Sequence, residues 1–482
     1  MKRFLRYLFI LLSFLSFIYG VIVESFNFML LGTLLFLISN VVYCLENIHR
    51  RIYFLFFNIT FFTFFLGRPL IHMLKFEPWW YFGDQPTIFA LSSIMISLVC
   101  MFIGHYLSDK ISKSEPEVCY FTTVENSKFI YNLRIISRIL FYVSFSFYFL
   151  GEIEKFLFMR SRDYAELYSS YKSNLPGIFN FIGTTYKYFM CIYLSTLPSK
   201  FESSICLSLF VFSSVPSFLI GSRNGLVLNS IFAFIYYFTR DSINNKILKS
   251  QNKKKWIGSF EKLCLILVSP ILLFVLGIWN YLRDKQSSNL GIVATFVDFF
   301  EKQGVSFDVL CFGYKLFPTF ISQGVNYTFG RIIDYFKYGK ISQILFGTQQ
   351  LSEFHQSIEH VLYSNNFAHK LSYAVSPQEF LSGHGYGSSF ILETYADFGY
   401  LGIALFSLLL GIFFSNIIKI MNKGSIYMSV VLIALMNIFY LERDASSRWI
   451  EFIVYFQFIV PTLACYMLAK LCIKEYSNRK NL

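Results

Sequence analysis

The strongest constraint on this chain is a series of apolar runs, each long enough to cross a bilayer at about 20 residues per helix. They fall near 4–23, 28–45, 52–67, 87–107, 134–151, 177–197, 204–220, 224–239, 258–282, 398–420, 425–441 and 447–470. A backbone in lipid must satisfy its own hydrogen bonds, so such runs become helices. The expected fold is an all-α polytopic membrane protein with about twelve transmembrane helices. Composition agrees, at 55% hydrophobic and 15% charged over 482 residues. The 60 Phe and 33 Tyr read first as lipid-facing bulk.

A net charge of +13 would suggest nucleic acid in a soluble protein. Here the basic residues flank the spans and follow the positive-inside rule, so no nucleic-acid partner is implied. Arg240, Lys246, Lys249, Lys253, Lys254 and Lys255 make the strongest such cluster, and both termini are expected in the cytoplasm. The N-terminal run resembles a signal peptide but lacks a small-residue cleavage site, so it reads as a retained first helix. One segment resists the rule. Residues 152–177 fall outside yet carry Lys155, Arg160, Arg162 and Lys172. Either they serve an anionic ligand, or Glu152, Glu154, Asp163 and Glu166 balance them.

The spans divide the chain into three parts: helices one to nine over 1–282, a large extracytoplasmic loop over 283–397, and helices ten to twelve with a cytoplasmic tail over 398–482. The loop is neither low-complexity nor highly charged. Ile292-Val293, Phe296-Val297 and Phe299-Phe300 recur at helical spacing, as do Ile332-Ile333, Phe336 and Ile341. Amphipathic helices on the outer membrane surface are expected there.

Polar chemistry concentrates where this loop meets the tenth span, in Gly383-His384-Gly385-Tyr386-Gly387-Ser388-Ser389 followed by Glu393 and Asp397. Charges at that depth are costly and tend to mark function. Glu393 and His384 compete as the proton-transfer group, since either can titrate near neutrality in a suitable setting. Ser388 or Ser389 is placed to cap the helix.

Gly221-Ser222-Arg223-Asn224-Gly225 puts an arginine between two apolar runs, where its guanidinium fork suits phosphate oxygens. Arg283 follows the next span at similar depth. Each could instead anchor a helix at the interface. Arg443 and Arg448 share a short turn with Glu442 and Asp444, which reads as a mutually paired cluster. His355, His360 and His369 lack metal-ligand spacing, no CxxC occurs, and nucleotide-binding glycine motifs are absent. No metal and no cofactor are expected.

This arrangement resembles the Wzy-type O-antigen and capsule repeat-unit polymerases. The likeness rests on the span plan, on residues 221–225, and on residues 383–402 with their Gly-x-Gly-Ser-Ser-x3-Glu-x-Tyr-x-Asp-Phe-Gly-x2-Gly run. It implies a GT-C-like, metal-independent glycosyltransferase of the bacterial cytoplasmic (inner) membrane. The enzyme would join undecaprenyl-diphosphate-linked oligosaccharide repeat units on the outer face, among membrane lipid, with a chain-length regulator protein as a further expected partner. Basic loop residues hold the pyrophosphates in that family, a role that maps onto Arg223 and Arg283. An O-antigen ligase shares this chemistry. A flippase is the non-enzymatic alternative, though it would carry short loops and charges inside the bundle.

Overall fold

The computed structural model describes residues 2–111, 120–123, 127–160, 162, 166–169, 171–247, 255–259, 261–263, 291–321, 324–352 and 356–480. Among them every regular element is helical. Eight helices are long and apolar enough to cross a membrane: Lys2–Ile22, Phe26–Glu46, Ile48–Leu74, Asp84–Ile111, Lys128–Met159, Lys200–Leu219, Phe390–Met421 and Phe456–Ile473. The other expected spans fare differently. Residues 177–197 form two short helices, Gly177–Thr184 and Tyr186–Ser195. Residues 224–239 lie within the helix Asn224–Ile247, and 425–441 within the shorter apolar helix Ser425–Tyr440. Most of 258–282, and Arg283 with it, lies outside the described residues.

The chain forms two compact units, one of Met1–Ser114, Glu261–Asn416 and Phe439–Arg448, the other of Glu115–Phe260, Ile417–Ile438 and Trp449–Leu482. In the first, Lys2–Ile22 and Phe26–Glu46 make a tight hairpin. The Ser13 hydroxyl donates to the Gly32 carbonyl at 2.7 Å. A Cβ at Gly32 would come within 2.7 Å of the Phe17 backbone nitrogen, so the two backbones nearly touch. Lipid offers no hydrophobic drive between helices, which makes such close approach through small residues a main source of cohesion.

One end of this unit is locked by buried charge. Arg6 and Arg51 both reach Glu46, at 2.8 and 3.2 Å, and Arg51 also pairs with Asp109 at 2.9 Å. The Arg51 guanidinium lies 3.6 Å from the Tyr43 ring centroid. Four helices meet through these contacts. Removing any one partner would strand a buried charge, which is far costlier than the assembled network is stabilising.

Asp84–Ile111 and Phe390–Met421 cross closely, each placing a glycine against the other's backbone. A Cβ at Gly104 would sit 2.2 Å from the Leu408 carbonyl oxygen, and one at Gly411 would sit 2.1 Å from that of Met101. Ser97 and Ser407 bond hydroxyl to hydroxyl at 2.8 Å beside them. Toward its start the Phe390–Met421 helix kinks at Gly399, whose φ of 62° and ψ of −155° only glycine adopts easily. Before the kink stands the short helix end that carries Glu393 and Asp397, and after it an apolar span.

Residues 441–448, between two apolar helices, close the unit. Glu442 is fully buried there. It accepts a bond from the Thr60 hydroxyl at 2.9 Å, while its other oxygen is buried with no partner among the described residues. Burial pushes its carboxyl up to about 8, against the opposing pull of its own backbone N–H and of Thr60.

In the second unit Lys128–Met159 packs beside Gly177–Thr184, Tyr186–Ser195 and the C-terminal helix. Arg134 donates to the Thr196 carbonyl at 2.6 Å. A capping box of Ser199 and Glu202 starts the helix at Lys200. Arg240 donates to the Pro198 carbonyl at 2.9 Å and lies 4.3 Å from the Trp256 ring centroid.

Two measurements check these features. Gly104→Val and Gly411→Val should each force the crossing helices apart, an overpacking cost of about 1–3 kcal/mol, read as a lower unfolding temperature in detergent. Unchanged melting would mean that the helices do not touch there. Glu442 is protonated in the fold and ionised in the unfolded chain between pH 4.5 and about 8. The folded state therefore binds the extra proton, and stability falls as pH rises through that window. Glu442→Gln should flatten the pH 6 to 8 melting profile; equal slopes for variant and parent would refute a neutral Glu442.

Candidate functional site

The glycine-rich run becomes a loop, Ser382 to Ser389, that feeds the helix at Phe390. The Ser389 hydroxyl accepts from the Ile391 N–H at 3.2 Å, the expected cap, and the Phe390 N–H donates to the Leu441 carbonyl at 3.1 Å. One turn later Glu393 is buried. Its carboxylate accepts from the Ser388 hydroxyl at 2.8 Å, the Ser446 N–H at 2.7 Å and the Ser446 hydroxyl at 2.8 Å. That same hydroxyl lies 2.7 Å from the Thr328 carbonyl. It has one hydrogen, so only one of the two acceptors holds it at a time. Among the described residues no cation pairs with Glu393.

Asp397, a further turn along, accepts from the Tyr327 N–H at 3.0 Å and the Thr328 N–H at 2.7 Å. Two carboxylates four residues apart thus draw two distant segments onto one helix end. Glu393 holds 441–448 and Asp397 holds 324–330. Leaving the buried Glu393 carboxyl or these backbone N–H groups without partners would cost about 1–3 kcal/mol each, so this joint is among the firmest polar contacts in the unit.

His384 stands apart from that joint. It is exposed, its N–H donates to the Glu379 carbonyl at 2.9 Å, and its Nδ1 lies 3.3 Å from the Ser382 hydroxyl. The loop around it is held by the Tyr386 N–H, which donates to the Ser372 hydroxyl at 3.0 Å, and by the Tyr386 hydroxyl, which donates to Glu379 at 3.3 Å. The ring therefore faces water on a pinned loop, within a few residues of the buried carboxylate but not bonded to it.

The turn clasped by Glu393 carries the cations. Asp444 pairs with Arg331 at 3.3 Å and with Arg448 at 3.5 Å. Glu442, by contrast, turns inward to Thr60, so the expected mutual pairing of all four charges holds only for Asp444 and Arg448. Arg443 is half-buried, and among the described residues no carboxylate pairs with it. It lies against the loop, since a Cβ at Gly387 would be 3.3 Å from the Arg443 carbonyl oxygen and 3.9 Å from its Cγ. A guanidinium without a carboxylate, beside a glycine loop at the end of a span, offers its fork to an incoming anion. Sequence reasoning passed over Arg443 because three neighbouring charges seemed to account for it. The inward turn of Glu442 was the missing information.

Arg223 belongs to the second unit, half-buried at the start of Asn224–Ile247. Gly221 before it has φ of 108°, and the Ser222 N–H donates back to the Ser217 carbonyl at 2.9 Å, so the motif is a tight turn. Ser217 in turn donates to buried Glu152, which also pairs with Lys155 at 2.7 Å. Arg162 pairs with Glu166 at 3.0 Å. Balance by neighbouring carboxylates thus accounts for Lys155 and Arg162. The structure leaves Arg283 undescribed and brings Glu393 and His384 into one unit.

The model of the O-antigen polysaccharide polymerase Wzy family matches residues 5–476, nearly the whole chain. No curated protein and no solved structure matches it. A match that spans the helices of both units, the closing loop and the arginine-bearing turn covers every feature described above. The chain belongs to the O-antigen polysaccharide polymerase Wzy family, as a multi-pass membrane protein of polysaccharide assembly.

Proposed function

We propose that this protein joins undecaprenyl-diphosphate-linked oligosaccharide repeat units on the outer face of the bacterial cytoplasmic membrane. In this reading the fold is GT-C-like with about twelve spans, both termini are cytoplasmic, and 283–397 is the extracytoplasmic loop. A chain-length regulator protein is the further partner. Beyond the family match, the observation that supports the reading is Arg443, a guanidinium without a carboxylate partner among the described residues, beside a glycine loop where a span ends.

The chemistry needs no nucleotide and no metal. A hydroxyl oxygen of the acceptor repeat unit attacks the anomeric carbon that joins the donor glycan to its lipid diphosphate. The new C–O bond forms as the bond to the phosphate oxygen breaks, and the lipid diphosphate leaves with that electron pair. The hydroxyl proton passes to a base. Stabilising the departing charge and accepting the proton are the two tasks left to the protein.

Arg443 takes the first task, and Arg223 and Arg283 keep the pyrophosphate-holding role that the family resemblance implies for them. His384 and Glu393 remain the candidates for the second. Exposure favours His384, which can meet an acceptor hydroxyl without rearrangement. Glu393 would first have to release Ser388 and Ser446. Its donors suit it to holding the loop and the Arg443 turn in register, so that base and cation face one site.

Polymer length in a deletion strain, complemented at matched protein level, tests both assignments. Arg443→Ala and Arg223→Ala should each lower polymerisation by about 100-fold or more, the cost of losing one charge-stabilising donor. Lys at either position keeps the charge but loses the fork and should remain impaired. Wild-type polymer from Arg443→Lys would reduce that residue to a simple charge. For the proton, His384→Ala should leave single repeat units with normal melting, whereas Glu393→Gln should lower the melting temperature as well. Full-length glycan from both variants would remove the pair from the mechanism.

A further inference from the structure

The helices Gly330–Tyr338 and Lys340–Phe346 are amphipathic in the sense opposite to that of a water-facing pair. Several of their polar groups are held against neighbouring segments, while Lys337 is exposed. Asp334 accepts from the Asn365 N–H at 2.9 Å and from its side-chain amide at 2.7 Å. Ser342 is buried and donates to the Phe336 carbonyl. Tyr338 donates to the Tyr363 carbonyl at 3.0 Å. The large apolar residues point out: Phe336 is 58% exposed, Ile344 82%, Leu345 66% and Phe346 77%. A run of three exposed large apolar residues in water would be an aggregation hazard, and such a patch marks a binding surface.

Its location indicates the occupant. Tyr327 and Thr328, just before the first of these helices, are bonded to Asp397 at the head of the Phe390–Met421 span. Directly after Asp397 that span begins its own exposed apolar stripe with Phe398, Leu401, Leu405 and Leu409. The segment leading into the patch is thus tied to the end of the span where an exposed apolar stripe begins. Charge agrees: residues 330–346 carry Arg331, Lys337 and Lys340, and their one acid, Asp334, faces inward. Basic residues flanking aromatic and aliphatic ones are the pattern of a helix in the headgroup region of anionic lipid.

We propose that Gly330–Tyr338 and Lys340–Phe346 lie in the bilayer interface beside the Phe390–Met421 span, with Phe336, Ile344, Leu345 and Phe346 sunk among the lipids. This seat does not depend on the reaction assigned above. Its consequence for the site is depth. Arg331 stands on the first turn of the seated helix and pairs with Asp444, so the arginine-bearing turn is held at the level of the headgroups, where a lipid diphosphate presents its charge.

The photoreactive residue p-benzoylphenylalanine, placed singly at Leu345, Phe346 and, as a water-facing control, Gln378, tests the seat in intact cells carrying the full chain. All three positions are exposed, so the replacements disturb no core packing, and Leu345 and Phe346 read the same surface independently. Irradiation should attach phospholipid at Leu345 and Phe346, seen as a lipid-sized mass gain, and none at Gln378. A doubled band would assign the patch to a second copy, and a band with another protein to a protein partner. Either result overturns the proposal, as would lipid attachment at Gln378 equal to that at Leu345, or no lipid adduct at Leu345 and Phe346.

Discussion

A carboxylate cannot be left bare where water is scarce, and this requirement organises the first unit around Glu393. Its three donors come from Ser388, five residues back, and from Ser446, 53 residues on. To satisfy one side chain the chain must return from the far side of two apolar helices and present a backbone N–H and a hydroxyl at a fixed place. Arg443, Asp444 and Arg448 are carried on that returning turn. Their positions are therefore set by a hydrogen-bonding need that none of them takes part in. Asp397 repeats the device one helical turn along and fixes the segment that carries Arg331.

At the other end of the unit, the same physics appears with opposite charge. Arg6, Arg51, Glu46 and Asp109 neutralise one another where four helices converge. Between the two polar ends the packing is dominated by aromatic rings and by close glycine contacts. The unit is thus pinned at both ends by satisfied charge and joined in the middle by steric fit. Such a frame can hold a loop such as 382–389 in place while leaving His384 and Arg443 available at its edge.

Within that frame two carboxylates of similar burial have different fates. Glu393 has a full set of donors, while Glu442 has Thr60 alone and one oxygen without a partner. The first serves as a clasp between distant segments, whereas the second turns inward to a single hydroxyl. By turning inward, Glu442 leaves its neighbour Arg443 without a carboxylate partner among the described residues, the ground on which Arg443 is proposed for the anionic substrate.

Much of this was legible in the sequence because it is local. Apolar length fixes a helix in lipid, so eight of the expected spans emerge as helices long enough to cross, and helical spacing marked the connecting helices near 292–303 and 330–346. The glycine, hydroxyl and carboxylate pattern over 383–402 likewise located the loop, the serine cap and the residues at the head of the span. What it could not show was partnership. Whether Glu393 meets a serine or an arginine, whether Glu442 turns in or out, and whether Ile344 to Phe346 are covered all depend on segments brought together from far along the chain. Hydrogen bonds and ion pairs reach only about 3 Å, so the tertiary fold alone decided which charges are used up in holding the structure and which are not.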